Sequence, residues 1–407
     1  VKHQTGLRAR TFFKTAADNE SGNVVMIFGL TVFILMGFIG AAIDMSRVNI
    51  ARHHIQDAAD AAVLRTMSMS SATDAVRAKA ADQVFTQNMH DTLLSHTEKT
   101  LTGDVNSNRI SQTYTVSAMV PSYFGAFLGK DEYPISVVSQ AQVDLQQYEI
   151  AMVLDTTGSM AQLNKMTNLK SSVSSALNGL LNSSGENISK SKVSIVPFND
   201  KVRVSNDVMT AMKTAGLVNG TTGSCIIDRN QPYDVSVDAA DKLVVATQYT
   251  RAACYNDNIK EIQGLNDNIS QVKTAVNGLK PDGMTNITVG IQWGMETLST
   301  NQPFVSTVAF KDSKVKKVMI VVTDGDNTQN RWTTSESEIN KRTAKACVAA
   351  KAQGILVYTV KVIEGDSAML RTCASDPKYF YDLTSASQLN ATMSGIFKSI
   401  YQTHLTQ

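Results

Sequence analysis

Five oxygen-bearing residues of this 407-residue chain fall where hydrophobic runs end. Asp155, Thr157 and Ser159 lie in "IAMVLDTTGSM", Thr285 in "KPDGMTNIT" and Asp324 in "MIVVTDGDNT". Carboxylates and hydroxyls are hard donors, suited to Mg²⁺, Mn²⁺ or Ca²⁺ and unsuited to zinc or copper. Positions 155, 157 and 159 alternate, so a tight turn aims all three at one point, and Gly158 lets the backbone pass close by. Only two of the five carry charge. A dication held there stays electrophilic, open to water or to a partner's carboxylate. Any one of these turns alone is equally explained by helix N-capping, since Asp, Thr and Ser are all good caps; three together favour a site.

Catalysis is a poorer fit. A haloacid-dehalogenase-type phosphatase needs a second acid two residues after the first, where this chain has Thr157, and a lysine near the final "DGD". A phosphate-binding P-loop needs Gly-Lys-Ser/Thr, and "TTGSM" has no lysine. Ser159 as a nucleophile needs a histidine base. The six histidines (His3, His53, His54, His90, His96 and His404) all lie outside the strands expected around the site. The expectation is a binding protein, not an enzyme.

The elements that must position the five residues read as alternating strands and helices from residue 149 onward. Strands are expected at "YEIAMVL", "KVSIVPF", "KKVMIVVT", "GILVYTVKV" and "KYFYDL". Helices are expected at Ala161–Leu181, "NISQVKTAVNGL", "ITVGIQWGMETL", Glu338–Gln353 and Ala386–Tyr401, with an irregular insertion at about 199–258. Apolar strands alternating with amphipathic helices predict an α/β fold, a doubly wound and mostly parallel sheet. Ligands of such sheets sit beyond the carboxyl ends of the strands, where "DTTGS" falls. Trp293 reads as core. Trp332, in a polar loop, reads as a candidate partner contact. Asp326 reads as a neighbour of the site or a turn residue.

The N-terminal third differs. Val24–Ile43 carries no charge over a length that spans a bilayer's hydrocarbon core as a helix, with a cleaved signal peptide and a buried helix as competing readings. Lys2, Arg8, Arg10 and Lys14 precede it, which keeps residues 1–23 cytoplasmic and sends the rest across the inner membrane to the periplasm; Arg47 and Arg52 oppose that bias. Beyond it, Val48, Ala51, Ile55, Ala58 and Ala62, with Leu64 as a further candidate, continue a helical stripe. A second helix is expected in "ATDAVRAKAADQVFTQNM", then strands "ISQTYTVSAMV" and "YPISVVSQAQVDL" separated by "PSYFGAFLGKDE". Residues 44–148 thus form a pilin-like helix with a small sheet, or a plain stalk, ahead of the domain at 149–407.

The bulk composition narrows the partners. With 43% hydrophobic and 18% charged residues, a net charge of +2 and no basic stripe, the chain is globular and no nucleic acid partner is expected. None of the four cysteines forms a CxxC pair, so zinc is poorly supported. Cys225 and Cys254 share one irregular region and Cys347 and Cys373 bracket a later strand; two disulfides in an oxidising compartment, or four thiols, are the readings.

The order Asp155-x-Thr157-x-Ser159, then Thr285, then Asp324 resembles the metal-ion-dependent adhesion site of von Willebrand factor type A domains, with Thr157 replacing the usual first serine. The resemblance covers about 149–402. It implies that the hydroxyls contact the metal and the aspartates bind it directly or through water. An apolar segment beginning "ESGNVVMIFGL", a small domain and then such a domain resemble TadG-like proteins of tight-adherence (Flp) pilus assembly. Prepilin processing places Glu five residues after its glycine; after Gly22 that position is Ile27, so neither cleavage nor a role as major shaft subunit is expected. The resemblance implies a membrane-anchored, metal-dependent protein that captures an acidic residue of a pilus or envelope component. The alternative is a structural scaffold whose metal only stabilises three loops.

Overall fold

The computed structural model describes residues 20–69, 72–89, 94–106, 109–144, 146–181, 185–187, 189–220, 222–254, 258–306 and 308–402. The basic residues expected before the apolar run, and His3, His90 and His404, lie outside them. The chain forms two compact units: one from the residues up to Asp104 with Ser111–Val143, the other from Val105–Ile110 with the chain from Asp144 onward.

In the first unit, α1 (Glu20–Met67) is one unbroken helix of 48 residues. An 18-residue window of it has mean hydropathy 2.4 and is only 6% buried. Its later half buries Val48, Ala51, Ile55, Ala58 and Ala62 as the spacing predicts, together with Ala59 and Val63. Leu64 is exposed, because two residues beyond Ala62 a helix has turned away from that stripe. His53 and His54 are both exposed. Helix α2 (Asp74–Asn88) starts at Thr73, whose hydroxyl accepts from Val76 N. A sheet ordered β1 (His96–Asn106), β2 (Arg109–Pro121) and β3 (Glu132–Asp144) covers the helices with Tyr114, Val116, Ala118, Ile135 and Val137. Strand β1 was not among the expected strands. Its "HTEKTLTGDVN" has only Leu101 and Val105 as large apolar residues, too few to show an alternation.

The second unit opens with β4 (Gln147–Asp155), α3 (Lys165–Leu177) and β5 (Lys192–Phe198). The insertion is not irregular. It folds as β6 (Val202–Arg203), α4 (Asn206–Thr214), β7 (Val218–Asn219), β8 (Cys225–Ile227) and β9 (Tyr249–Ala252), a small sheet ordered β6-β8-β9-β7. Strands of two to four residues are too short to show a period. Then come β10 (Gln263–Asn266), α5 (Ile269–Asn277), α6 (Ile287–Leu298), β11 (Val315–Thr323), α7 (Glu336–Ala352), β12 (Leu356–Val362), α8 (Ser367–Cys373), β13 (Phe380–Leu383) and α9 (Leu389–Gln402). The main sheet is ordered β10-β5-β4-β11-β12-β13, parallel except for edge strand β10.

Strand β4 shows why the sheet is covered twice. Tyr148, Ile150, Met152 and Leu154 enter one core with Leu169 and Val173 of α3 and Met393 and Ile396 of α9. Ala151 and Val153 enter the other with α6 and Leu370 of α8. Every residue of α6 is buried. It lies tight on the sheet because Gly294 has no Cβ; one there would stand 2.7 Å from Val153 and 2.9 Å from Met319. Trp293 is core, as expected, while Trp332 is 42% exposed. Both disulfides are formed, Cys225–Cys254 inside the insertion and Cys347–Cys373 between α7 and α8.

Buried ion pairs fasten the insertion to this frame. Arg229 donates from Nε to Thr247 O (2.9 Å) and from Nη1 to Glu296 Oε1 (3.4 Å), while Arg342 donates from Nε to Asp234 Oδ2 (2.8 Å). Burial pushes Glu296 up from 4.5 to about 7, with Arg229, Tyr249 and Gln292 opposing the rise. Between those two values the folded chain holds a proton that the unfolded chain has released. This contribution to stability therefore falls as pH rises through the window, by up to about 1.4 kcal/mol per pH unit, and is level above it. Glu296→Gln should flatten that fall, read as the difference between parent and variant urea midpoints across the window.

Candidate metal centre

The chain enters the main sheet at β4, crosses to β5 on one side, and returns to β11 on the other side of β4. The carboxyl ends of β4 and β11 are thus a switch point, from which the following segments leave in opposite directions and open a crevice. Asp155 ends β4 and Asp324 directly follows β11, and neither has any exposed surface.

Four of the five predicted residues form one hydrogen-bonded chain. Asp155 Oδ1 accepts from the Thr157 amide (2.8 Å) and hydroxyl (2.6 Å). Thr157 Oγ1 lies 3.0 Å from Ser159 Oγ, which donates to Asp324 Oδ1 at 2.7 Å. Thr157 occupies the N-cap position of the short 3-10 turn Gly158–Ala161, yet its side chain makes no capping bond. Capping therefore does not account for this hydroxyl, which is turned to the carboxylate.

Thr285 joins from the loop before α6. A Cβ placed on Gly325 would stand 3.7 Å from Ser159 Oγ and 3.8 Å from Thr285 Oγ1, so both hydroxyls border the space over that glycine. Backbone bonds stitch the loops together: Gly158 N to Gly283 O (3.0 Å), Asp282 N to Thr156 O (2.7 Å) and Thr328 N to Thr285 O (2.9 Å). The Thr285 amide donates to Thr328 Oγ1 at 2.8 Å. Asn327 Oδ1 accepts from Ile287 N at 2.8 Å and so fixes the start of α6. Asp326 is exposed at the rim.

Three further participants escaped the sequence reading. Thr323 Oγ1 donates to Asp155 Oδ2 at 2.6 Å. Lys165, 1% exposed, places Nζ 2.8 Å from Asp324 Oδ2 and 3.1 Å from Oε2 of the largely exposed Glu364. The signal for Lys165 was present: it heads α3 on the same stripe as Leu169 and Val173, where an apolar residue is expected. Asp228 accepts from Asn286 Nδ2 on both oxygens (3.0 and 2.9 Å) and from Arg331 N on Oδ2 (3.1 Å), tying the insertion to the residue after Thr285.

Electrostatics follow from this packing. Burial and then the charge of Asp324 push Asp155 up to about 6, against the hydrogen bonds from Thr157 and Thr323. Burial alone would lower Lys165, but its bonds to Asp324 and Glu364 prevail and hold it above its ordinary value. Among the described residues no group of three or more His, Cys, Asp and Glu side chains gathers as a metal cluster. The candidate donors are instead two carboxylates and three hydroxyls, two of the hydroxyls bordering a bare glycine, a set that suits a hard dication. The Lys165 ammonium already serves the second oxygen of Asp324.

Two family models match parts of the chain. Residues 244–395 match the model of the von Willebrand factor type A domain, and residues 22–68 match that of the Flp pilus-assembly TadE/G-like family. No curated protein matches. Among solved structures, the pilus adhesin SpaC from Lactobacillus rhamnosus GG is 15% identical with a TM-score of 0.41, over 75% of this chain and 34% of that one. Proximal thread matrix protein 1 of the mussel byssus is 15% identical with a TM-score of 0.35, over 63% and 46%. The PilB minor pilin of Streptococcus sanguinis is 13% identical with a TM-score of 0.35, over 75% and 78%. This chain thus spans about a third of SpaC and under half of the byssus protein. The type A match begins after the Asp155 turn, but β4, which leads into that turn, pairs with β11 inside the match from Gln147↔Val315 to Leu154↔Val322. The fold and the match define a von Willebrand factor type A domain. A segment matching the Flp pilus-assembly TadE/G-like family lies ahead of it.

Removing one member of a buried ion pair strands the other, at about 3–5 kcal/mol. Lys165→Met should therefore lower the unfolding free energy in chelator by about 3 kcal/mol, measured by urea denaturation. Glu364→Gln, altering the exposed member, should cost under about 1 kcal/mol.

Proposed function

We propose that the chain is an envelope binding protein of Flp/Tad-type pilus assembly or adhesion, and that it works by holding a divalent cation rather than by catalysis. Its apolar α1 segment would anchor it as a single-pass protein of the inner membrane, with the bulk of the chain periplasmic. The observation that carries the metal reading is the convergence of Asp155, Thr157, Ser159, Thr285 and Asp324 at the β4/β11 switch point, two buried carboxylates with hydroxyls turned toward them.

Mg²⁺, Mn²⁺ or Ca²⁺ would supply an electrophilic centre for an acidic side chain of the partner. Ser159 and Thr285 would offer hydroxyls at the mouth, while Asp155 orients the Thr157 hydroxyl and Asp324 supplies the second charge. Lys165 offsets part of the Asp324 charge, leaving the cation more of its own for the partner's carboxylate. The strapped insertion at 199–258, bound through Asp228 to the residue after Thr285, is the proposed specificity element, because segments that border a rigid site often carry recognition.

A scaffold reading keeps one specific support. The hydroxyls already bond to the carboxylates and Lys165 already serves Asp324, so the loops cohere without a cation. Titration calorimetry of the full chain in detergent, beside Asp155→Ala, separates the two. The binding reading expects saturable Mg²⁺ or Mn²⁺ uptake by the parent, none by the variant, and a chelated parent that stays folded while losing an acidic partner peptide. A parent that takes up no cation while folded, or one whose chelation unfolds the domain without altering peptide binding, overturns it.

A further inference from the structure

The turn joining β2 to β3 presents three aromatic rings that keep a large exposed surface. Phe127 is 87% exposed, Tyr123 58% and Phe124 40%. The turn is nonetheless fixed. Asp44, 2% exposed, accepts from Tyr123 N (2.9 Å) on Oδ1 and from Phe124 N (2.9 Å) and Gly125 N (2.7 Å) on Oδ2. Arg47 donates to Pro121 O at 3.0 Å and lays its guanidinium 3.5 Å over the Tyr123 ring. Within the turn, Lys130 N donates to Gly125 O at 2.9 Å and Gly129 N to Ala126 O at 3.1 Å.

The attachment point on α1 gives these rings their meaning. The Phe124 ring lies on Gly40, where a Cβ would come within 2.6 Å of it. Gly40 is one turn inside the uncharged run that ends at Ile43, and Asp44 is the first charge beyond it. The exposed rings therefore stand at the level where an apolar helix passes from hydrocarbon to headgroups, with the cation of Arg47 beside them. Aromatic rings and basic side chains are the residues enriched at that depth.

We propose that Tyr123, Phe124 and Phe127 form a foot that rests in the headgroup layer of the bilayer crossed by α1, so that the small sheet is held on the membrane at a second point. The inference rests on the membrane-anchor reading of α1. A foot of this kind turns a single-helix tether into a two-point mount, restricting rotation of the unit about the helix axis.

The test uses the full chain in phosphatidylcholine nanodiscs whose lipids carry bromine either near the carbonyl end or near the methyl end of the acyl chain. Tryptophan is introduced in turn as Phe127→Trp, Tyr123→Trp, Phe33→Trp on the exposed apolar face of α1, and Val138→Trp on exposed β3, with the parent's emission subtracted. The foot predicts loss of emission from Phe127→Trp and Tyr123→Trp, stronger with shallow than with deep bromine, and none from Val138→Trp. Unquenched Phe127→Trp and Tyr123→Trp beside quenched Phe33→Trp overturn the foot and leave the anchor standing. A blue shift of Phe127→Trp without quenching means that protein, such as a second copy of the chain, covers the ring, and this also overturns it. Phe33→Trp unquenched as well removes the anchor, and the foot with it.

Discussion

Two carboxylates buried at the ends of adjacent strands repel one another, and most of what surrounds them offsets that repulsion. Asp155 and Asp324 have no exposed surface, and burial together with mutual charge drives Asp155 upward. The remedies are local and few. Thr157 and Thr323 donate to Asp155, Ser159 donates to one oxygen of Asp324, and Lys165 serves the other. Three elements position them: the turn after β4 for Thr157 and Ser159, the last residue of β11 for Thr323 and the first residue of α3 for Lys165. The repulsion thus makes three separate segments agree on one geometry. That is how a buried polar cluster, costly in itself, can confer uniqueness on a loop region.

The same logic extends outward through α6. Because that helix is wholly buried, its polar side chains need partners, and Arg229 of the insertion reaches Glu296 while Asp228 holds Asn286. The insertion is therefore strapped by buried polar contacts rather than loosely appended. Asn286, the neighbour of Thr285, is thus one hydrogen-bonded step from Asp228 of the insertion. Arg342 and Asp234 pin a second point of the insertion to α7.

How much of this was readable beforehand depended on periodicity. The main strands and helices were legible because apolar runs of β4, β5, β11 and β12 alternate with amphipathic stripes, and the five site residues because each sits at a strand end or a loop-to-helix turn. Hidden elements lacked a period. The insertion's strands are two to four residues long, and β1 has only Leu101 and Val105 as large apolar side chains. The start of α3 was misplaced because "AQLN" reads as helix, whereas Leu163 and Asn164 adopt positive φ and delay it to Lys165. A charged side chain on a helix is ordinarily solvated, so residue type alone does not single out Lys165. Only its place on the buried stripe marked it. Thr323 was absorbed into the strand run, and Glu364 has no local pattern at all.

The two disulfides have a consequence for how the chain matures. Four cysteines admit three pairings, and the observed one closes two separate rings, with separations of 29 and 26 residues, that neither overlap nor nest. Joining Cys254 to Cys347 instead would close a loop about three times as long, at an extra closure cost of about 1 kcal/mol before any folding. The native bonds are thus the ones an unstructured chain meets first. Each ring can also close without the other being complete, so the order of oxidation carries no topological penalty. Oxidation of the chain as it emerges residue by residue would seal the insertion before the segment bearing the second pair has appeared.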